Sequence, residues 1–245
     1  MIYVIGIGPG GPDMITPKAL EALKSCQIIA GYESYINLIM KMDLLPGKVF
    51  LRFPMKSEVA RCHEVIRIAR QFNHDIALIS SGDSGVYGMA GLMLEIASGS
   101  GVDVKIIPGI TAANSCAALL GAPLMNDYVN ISLSDLLTPW EVIEKRLIAA
   151  CEGDFVICLY NPASHNRPDN FRKACKILLK HKSPETPSGF AKNISREGEI
   201  SQIMTLGEIQ ECELIDMSCT VIIGNSQSYI LDGKIITSRG YDIRA

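Results

Sequence analysis

The sequence predicts an α/β fold built as two lobes, on three observations. Short apolar runs at 2–7, 76–79 and 102–107 end in Gly, Ser or Pro, the form of buried parallel strands. Segments with helical spacing of apolar residues stand between such runs, so strand, loop and helix alternate along the chain. After Gly121-Ala122-Pro123 the pattern changes character. A boundary is therefore expected near residue 124, with one α/β lobe over 1–124 and a second over 125–245.

The elements follow in order. The run at 2–7 opens the first lobe, and Thr16-Pro17 then supplies a cap and a first-turn proline for a helix reaching about Lys24. A short strand at 27–30 is broken by Gly31, and Ser57 caps a helix whose apolar stripe is Val59, Cys62, Ile66 and Ala69. The strand at 76–79 leads through Ser80-Ser81-Gly82-Asp83 to an apolar helix from about Tyr87 to Ala97. The strand at 102–107 stops at Pro108-Gly109, before an Ala-rich helix over 111–120. In the second lobe, strands at 128–133, 155–160 and 187–193 alternate with helices at 139–151 and 168–179, and further strands lie at 200–205 and 220–223. Residues 229–236 form a hairpin, because Asp232-Gly233 suits a type I′ turn.

Composition excludes several function classes. The chain has 245 residues, 48% of them apolar and 20% charged, with a net charge of −3, which is a folded composition. That balance also excludes a polybasic nucleic-acid binder, and a single Trp with 6% aromatics argues against stacked single-strand platforms. Apolar stretches are too short and too interrupted for a membrane span. The N-terminus lacks the basic segment and length of a signal peptide, so a cytoplasmic protein is expected. Eight cysteines without a CxxC pair fit reduced, buried thiols. No metal site is expected.

Three glycine clusters point to a ligand. Gly6-Ile7-Gly8-Pro9-Gly10-Gly11 satisfies GxGxxG, but Pro9 and Pro12 intrude and the next helix opens only after Thr16. A dinucleotide motif needs its helix to start on the last glycine, so a nicotinamide- or flavin-dependent oxidoreductase is the weaker reading. Gly82-Asp83-Ser84-Gly85-Val86-Tyr87-Gly88 follows a strand and precedes a helix. There Asp83 is suited either to hold a ligand amine or hydroxyl or to cap the helix. Pro108-Gly109-Ile110-Thr111-Ala112-Ala113 is a third small-residue strand end. Ligands favour the carboxyl ends of strands and clefts between lobes.

Those three segments resemble the tetrapyrrole methyltransferases, which use S-adenosylmethionine (SAM) without a Rossmann fold. The likeness continues through Gly121-Ala122-Pro123-Leu124-Met125, the run ISLSDLLTPW at 131–140, Leu159-Tyr160-Asn161-Pro162 and Thr186-Pro187-Ser188-Gly189. It ends with Val221-Ile222-Ile223-Gly224-Asn225 and Ser238-Arg239-Gly240-Tyr241. It covers nearly the whole chain, and ISLSDLLTPW with LYNP resembles the C17-methylating branch of corrin synthesis. The resemblance implies the tetrapyrrole methylase fold, with SAM folded between the two lobes and S-adenosylhomocysteine as product. It implies a ring-contracting methyl transfer to precorrin-3B or cobalt-factor III, and a homodimer. Relatives methylating C20, C11 or uroporphyrinogen III, and a non-catalytic binding module, are the alternatives.

By motif, SAM contacts are expected at Pro9, Gly82, Asp83, Val86, Tyr87, Thr111, Ala112, Leu133, Tyr160, Asn161, Gly189 and Thr220. Asn126 stands where that branch is expected to have His, and an amide does not titrate; Ser188 replaces Val. Proton carriers for the ring contraction are sought among Asp83, Asp127, Ser132, Ser134 and His165, with a surface-loop role as the plainer reading of His165. The substrate carries many carboxylates. Residues 48–70 hold six Lys/Arg against two Glu, and 161–182 hold six against one Asp. Arg52, Lys56 and Arg167, expected in loops, are the candidate carboxylate contacts; solvated helix faces are the plainer reading of the rest.

Overall fold

The computed structural model describes residues 1–72, 74–164 and 167–242, and falls into two compact units, Met1–Ala112 and Ala113–Ala245. No helix among the described residues is long and apolar enough to cross a membrane.

The first unit holds β1 (Ile2–Gly6), α1 (Pro17–Ser25), β2 (Ile28–Tyr32), α2 (Glu33–Lys41), β3 (Val49–Phe53), α3 (Glu58–Phe72), β4 (Ile76–Ser80), α4 (Ala90–Ala97) and β5 (Val104–Ile107). Its sheet is parallel throughout, in the order β3-β2-β4-β1-β5. Alternation along the strands divides the core. Ile2, Val4, Ala30, Ile76 and Leu78 face α3 and α4, while Ile5, Ile29, Ala77 and Ile79 face α1 and α2. Thr16 caps α1 as expected, its Oγ1 accepting the Ala19 N–H at 3.1 Å.

Several elements differ from expectation. Gly31 does not end β2. A Cβ there would lie 2.6 Å from Ile79 Cγ1, so Gly31 makes room for a core side chain inside the strand. Strand β2 then runs into α2, which buries Ile36 and Ile39 and was not foreseen; nor was β3. In α3, Val59 is 53% exposed, and the buried stripe instead includes Arg61, Val65 and Ile68. Helix α4 starts at Ala90 rather than Tyr87 because Tyr87 is left-handed (φ 53°) and the Ala90 N–H bonds back to Ser84 O at 2.9 Å.

The second unit contains α5 (Ala112–Leu120), β6 (Gly121–Ala122), β7 (Tyr128–Ser132), α6 (Trp140–Glu152), β8 (Val156–Tyr160), α7 (Asn170–Leu178), β9 (Pro187–Lys192), β10 (Ile200–Thr205), α8 (Leu206–Ile209), β11 (Cys219–Ile223), β12 (Ser228–Leu231) and β13 (Lys234–Thr237). The division falls at Ala112/Ala113 rather than near residue 124 because α5 buries Ala113, Cys116 and Leu120 against Cys158, Ala191 and Ile222. The main sheet, β10-β9-β11-β8-β7, is mixed. Only β7 and β8 pair in parallel, whereas β8–β11, β11–β9 and β9–β10 are antiparallel. The link from β9 to β10 is short and contains no helix, so it turns the chain back instead of crossing over. Phe190, fully buried, sits in the core between this sheet and α6 and α7. The hairpin β12–β13 forms on Asp232 (φ 47°) and Gly233 (φ 71°), both left-handed as a type I′ turn requires, and β13 pairs with β6.

Truncating Phe190 to Ala should lower the unfolding free energy by about 3–5 kcal/mol. Urea denaturation measures this; a loss below about 1 kcal/mol would show that the second unit's core does not depend on it.

Candidate functional site

In the first unit, β1, β4 and β5 end side by side, and glycine lets their continuations touch. A Cβ on Gly6 would lie 2.6 Å from Gly82 O and 2.7 Å from Gly109 N, and one on Gly109 would lie 2.2 Å from Gly82 O. Gly8 and Gly82 also exchange backbone bonds, Gly8 N–H to Gly82 O at 3.1 Å and Gly82 N–H to Gly8 O at 2.7 Å. Both are left-handed, with φ of 72° and 66°. A Cβ on Gly82 would make ordinary contact with the 110–112 backbone, Ala112 N being nearest at 3.7 Å, so it is the left-handed φ that calls for glycine there.

Asp83 fastens this junction. Its Oδ1 accepts the Gly85 N–H at 2.8 Å and its Oδ2 accepts the Gly109 N–H at 2.9 Å. Asp83 therefore does not cap α4; it ties the β4 loop to the β5 loop. Ser84, fully buried, puts its hydroxyl 3.4 Å from the carbonyls of Val4 and Ile107. Pro9 is buried, Val86, Thr111 and Ala112 are half-buried, and Tyr87 is 53% exposed. All lie in the segments that follow β1, β4 and β5. The segment after β1 makes a short 3-10 turn, Pro12–Met14, and α1 begins only at Pro17. No helix opens on the GxGxxG glycines, which removes the geometric basis of the dinucleotide reading.

In the second unit the parallel pair β7–β8 brings another group together, with Ser132 opposite Tyr160. Ser132 Oγ accepts from Asn161 Nδ2 at 2.9 Å and from the Ser134 N–H at 3.2 Å. Asn161 is left-handed (φ 53°), which turns its amide back toward β7. The Leu133 N–H donates to Tyr160 O at 2.9 Å, and its carbonyl accepts from buried Asn170 Nδ2 at 2.9 Å. The Leu133 side chain itself is wholly buried in the core. The Tyr160 hydroxyl accepts the Ala113 N–H at 2.9 Å, satisfying a free donor in the first turn of α5. Gly189 lies within β9, where a Cβ would come within 2.9 Å of Leu120, and Thr220 is buried in β11 with its carbonyl accepting from Cys116 Sγ.

Other candidates fall elsewhere. Asp127 is exposed at the start of β7, where its carbonyl accepts the Val156 N–H. Ser132 ends the same strand, so the structure separates these two candidates by the length of β7. His165 lies outside the described residues. Arg52 is on β3, not in a loop; its guanidinium reaches Asn37 Oδ1 at 3.4 Å and Met40 Sδ at 3.1 Å. Lys56 is exposed on a left-handed turn (φ 64°). Arg167 Nε stands 3.9 Å from Asp135 Oδ1, and its buried Nη1 has no hydrogen-bond partner among the described residues.

Sequence reasoning treated Arg61 as one surface cation among six, yet it is 3% exposed. It donates to Pro54 O at 3.1 Å, lies over the Phe53 ring at 5.7 Å and approaches Met89 Sδ at 3.6 Å. Burial lowers its pKa, opposed by Glu58. No periodicity signal marks it, because it sits one position before the apolar Cys62. Burial likewise pushes the thiols of Cys26 and Cys62 up to about 11 and of Cys158, Cys175 and Cys219 to about 12, so at neutral pH they are protonated core residues. Among the described residues no group of three His, Cys, Asp or Glu is arranged to hold a metal ion.

Residues 1–210 match the family model described as "Tetrapyrrole (Corrin/Porphyrin) Methylases". A protein of Salmonella typhimurium named "Probable cobalt-factor III C(17)-methyltransferase" is 48% identical, over 99% of this chain and 100% of its own length. The "Cobalt-factor III methyltransferase" of Priestia megaterium is 45% identical over 98% of this chain, which spans 45% of that longer protein. A crystal structure titled as the methyltransferase CobJ superposes with a TM-score of 0.89 at 31% identity, covering 97% of this chain and 99% of that one.

Asp83→Ala leaves the Gly85 and Gly109 N–H groups without their acceptor. It should cost about 1–3 kcal/mol and speed amide exchange at both glycines. Unchanged exchange would mean that the Gly8–Gly82 bonds alone hold the junction.

Proposed function

The chain belongs to the tetrapyrrole (corrin/porphyrin) methylases, and on that premise we propose that it methylates C17 of cobalt-factor III, with ring contraction, during cobalamin synthesis. The end-to-end likeness to the Salmonella protein carries this reading, because it spans the full length of both chains. The family's methyl donor is SAM. The junction of β1, β4 and β5 suits such a ligand, since its glycines present main chain without side chains at the ends of three parallel strands.

By motif, the residues proposed to hold SAM are Pro9, Gly82, Asp83, Val86, Tyr87, Thr111, Ala112, Leu133, Tyr160, Asn161, Gly189 and Thr220. When bound, SAM supplies a methyl group activated on a sulfonium. Methyl transfer is an in-line displacement, so the chain's part is to orient the ring carbon and exclude water. Asp83 acts by fixing the two loops, because both of its oxygens already accept backbone N–H groups. Leu133, Gly189 and Thr220 contribute shape and backbone, their side-chain positions being buried. Ring contraction also moves a proton, and Ser132 is the best-placed described carrier in the second unit. Its Oγ accepts from two donors, which aligns its own O–H for donation. Lys56, Arg52 and Arg167 would meet substrate carboxylates. The reading includes a cytoplasmic homodimer; protonated, unpaired cysteines suit a reducing compartment.

The protein should be incubated with SAM and, separately, cobalt-factor III, metal-free precorrin-3B and uroporphyrinogen III, and the products followed by mass spectrometry. A gain of one methyl on cobalt-factor III, with one S-adenosylhomocysteine formed per methyl, is expected. Methylation of uroporphyrinogen III alone, or of none, overturns the assignment.

A further inference from the structure

The loop between β7 and α6 presents two leucines to solvent. Leu136 is 60% exposed and Leu137 is 99% exposed, the latter an almost bare apolar side chain in the interior of the sequence. The loop beneath them is held by polar contacts. The Ser134 N–H bonds to Ser132 Oγ, Asp135 faces Arg167, and the Val142 N–H returns to Pro139 O at 3.0 Å as α6 begins. The leucines are thus carried on an anchored segment and contribute nothing to the core. They also sit just beyond the carboxyl end of the parallel pair β7–β8, the end at which parallel α/β sheets take their ligands.

We propose that Leu136 and Leu137 form an apolar platform for one face of the tetrapyrrole macrocycle, a role that rests on the function proposed above. The substrate is a broad plate with an apolar face and a fringe of carboxylates. The loop has the matching apolar character: two adjacent exposed leucines that follow Asp135, which is itself held 3.9 Å from the largely buried Arg167. Because the loop is anchored before the substrate arrives, little further ordering opposes the contact. The leucines are positioning residues. They set how the macrocycle lies and take no part in bond making.

The test is Leu136→Ser, Leu137→Ser and the double variant, with Leu137→Met as the conservative control. Steady-state kinetics with cobalt-factor III, SAM calorimetry and sedimentation are measured on each. The double variant should raise KM for cobalt-factor III about tenfold, at unchanged SAM affinity and oligomeric state, and Leu137→Met should stay near wild type. A wild-type KM in the double variant overturns the proposal. So does a KM increase that appears only with dissociation of an oligomer, which would make the leucines a subunit contact. Turnover by the wild-type chain in the same assay separates the two claims: without it the function itself falls, and with it the leucine platform stands or falls alone.

Discussion

The first unit depends on a contact that only glycine permits. Gly6, Gly82 and Gly109 bring three strand continuations to backbone-to-backbone distance, and a methyl group on Gly6 or Gly109 would stand closer to a neighbouring backbone atom than van der Waals contact allows. Once they meet, the Asp83 carboxylate spans from its own loop to the Gly109 N–H, and buried Ser84 hydrogen-bonds carbonyls of β1 and β5. The result is a floor built of main chain. Main-chain floors suit a polar ligand because N–H and C=O groups are presented without side-chain entropy to lose.

The second unit solves a similar problem with side chains. The ends of β7 and β8 are joined through Ser132, Asn161, Leu133 and Asn170, and Tyr160 extends the same network to the start of α5. Asn170 satisfies the Leu133 carbonyl just past the end of β7, and the Tyr160 hydroxyl satisfies an N–H in the first turn of α5. The loop from Ser134 to Pro139 hangs from this network and not from the core. That arrangement leaves its leucines free to meet a ligand.

Much of this was legible in the sequence, for physical reasons. The central strands β1 and β4 are buried on both faces, so they read as continuous apolar runs, whereas the edge strand β3 does not; Thr16-Pro17 and Asp232-Gly233 are local signals that need no tertiary context. Gly31 was misread because glycine inside a strand looks like a break, whereas here it accommodates Ile79. The antiparallel strands of the second sheet were recognised as strands, but their direction depends on whether a helix intervenes, which the short apolar runs do not state. Asp127 and Ser132, both candidate proton carriers, are five residues apart, and the strand between them puts them at opposite ends. Asp83 was expected either to hold a ligand group or to cap the next helix, and instead it ties two loops. Gly85 is a partner within its own loop, but Gly109, 26 residues away, becomes one only where the two loops meet.

A crystal structure with S-adenosylhomocysteine bound tests the central claim most directly. The account predicts ligand density against the main chain of the β1, β4 and β5 ends, with Asp83 still accepting the Gly109 N–H. Density placed away from the β1, β4 and β5 ends, or an Asp83 released from Gly109 to ligate the cofactor itself, would contradict it.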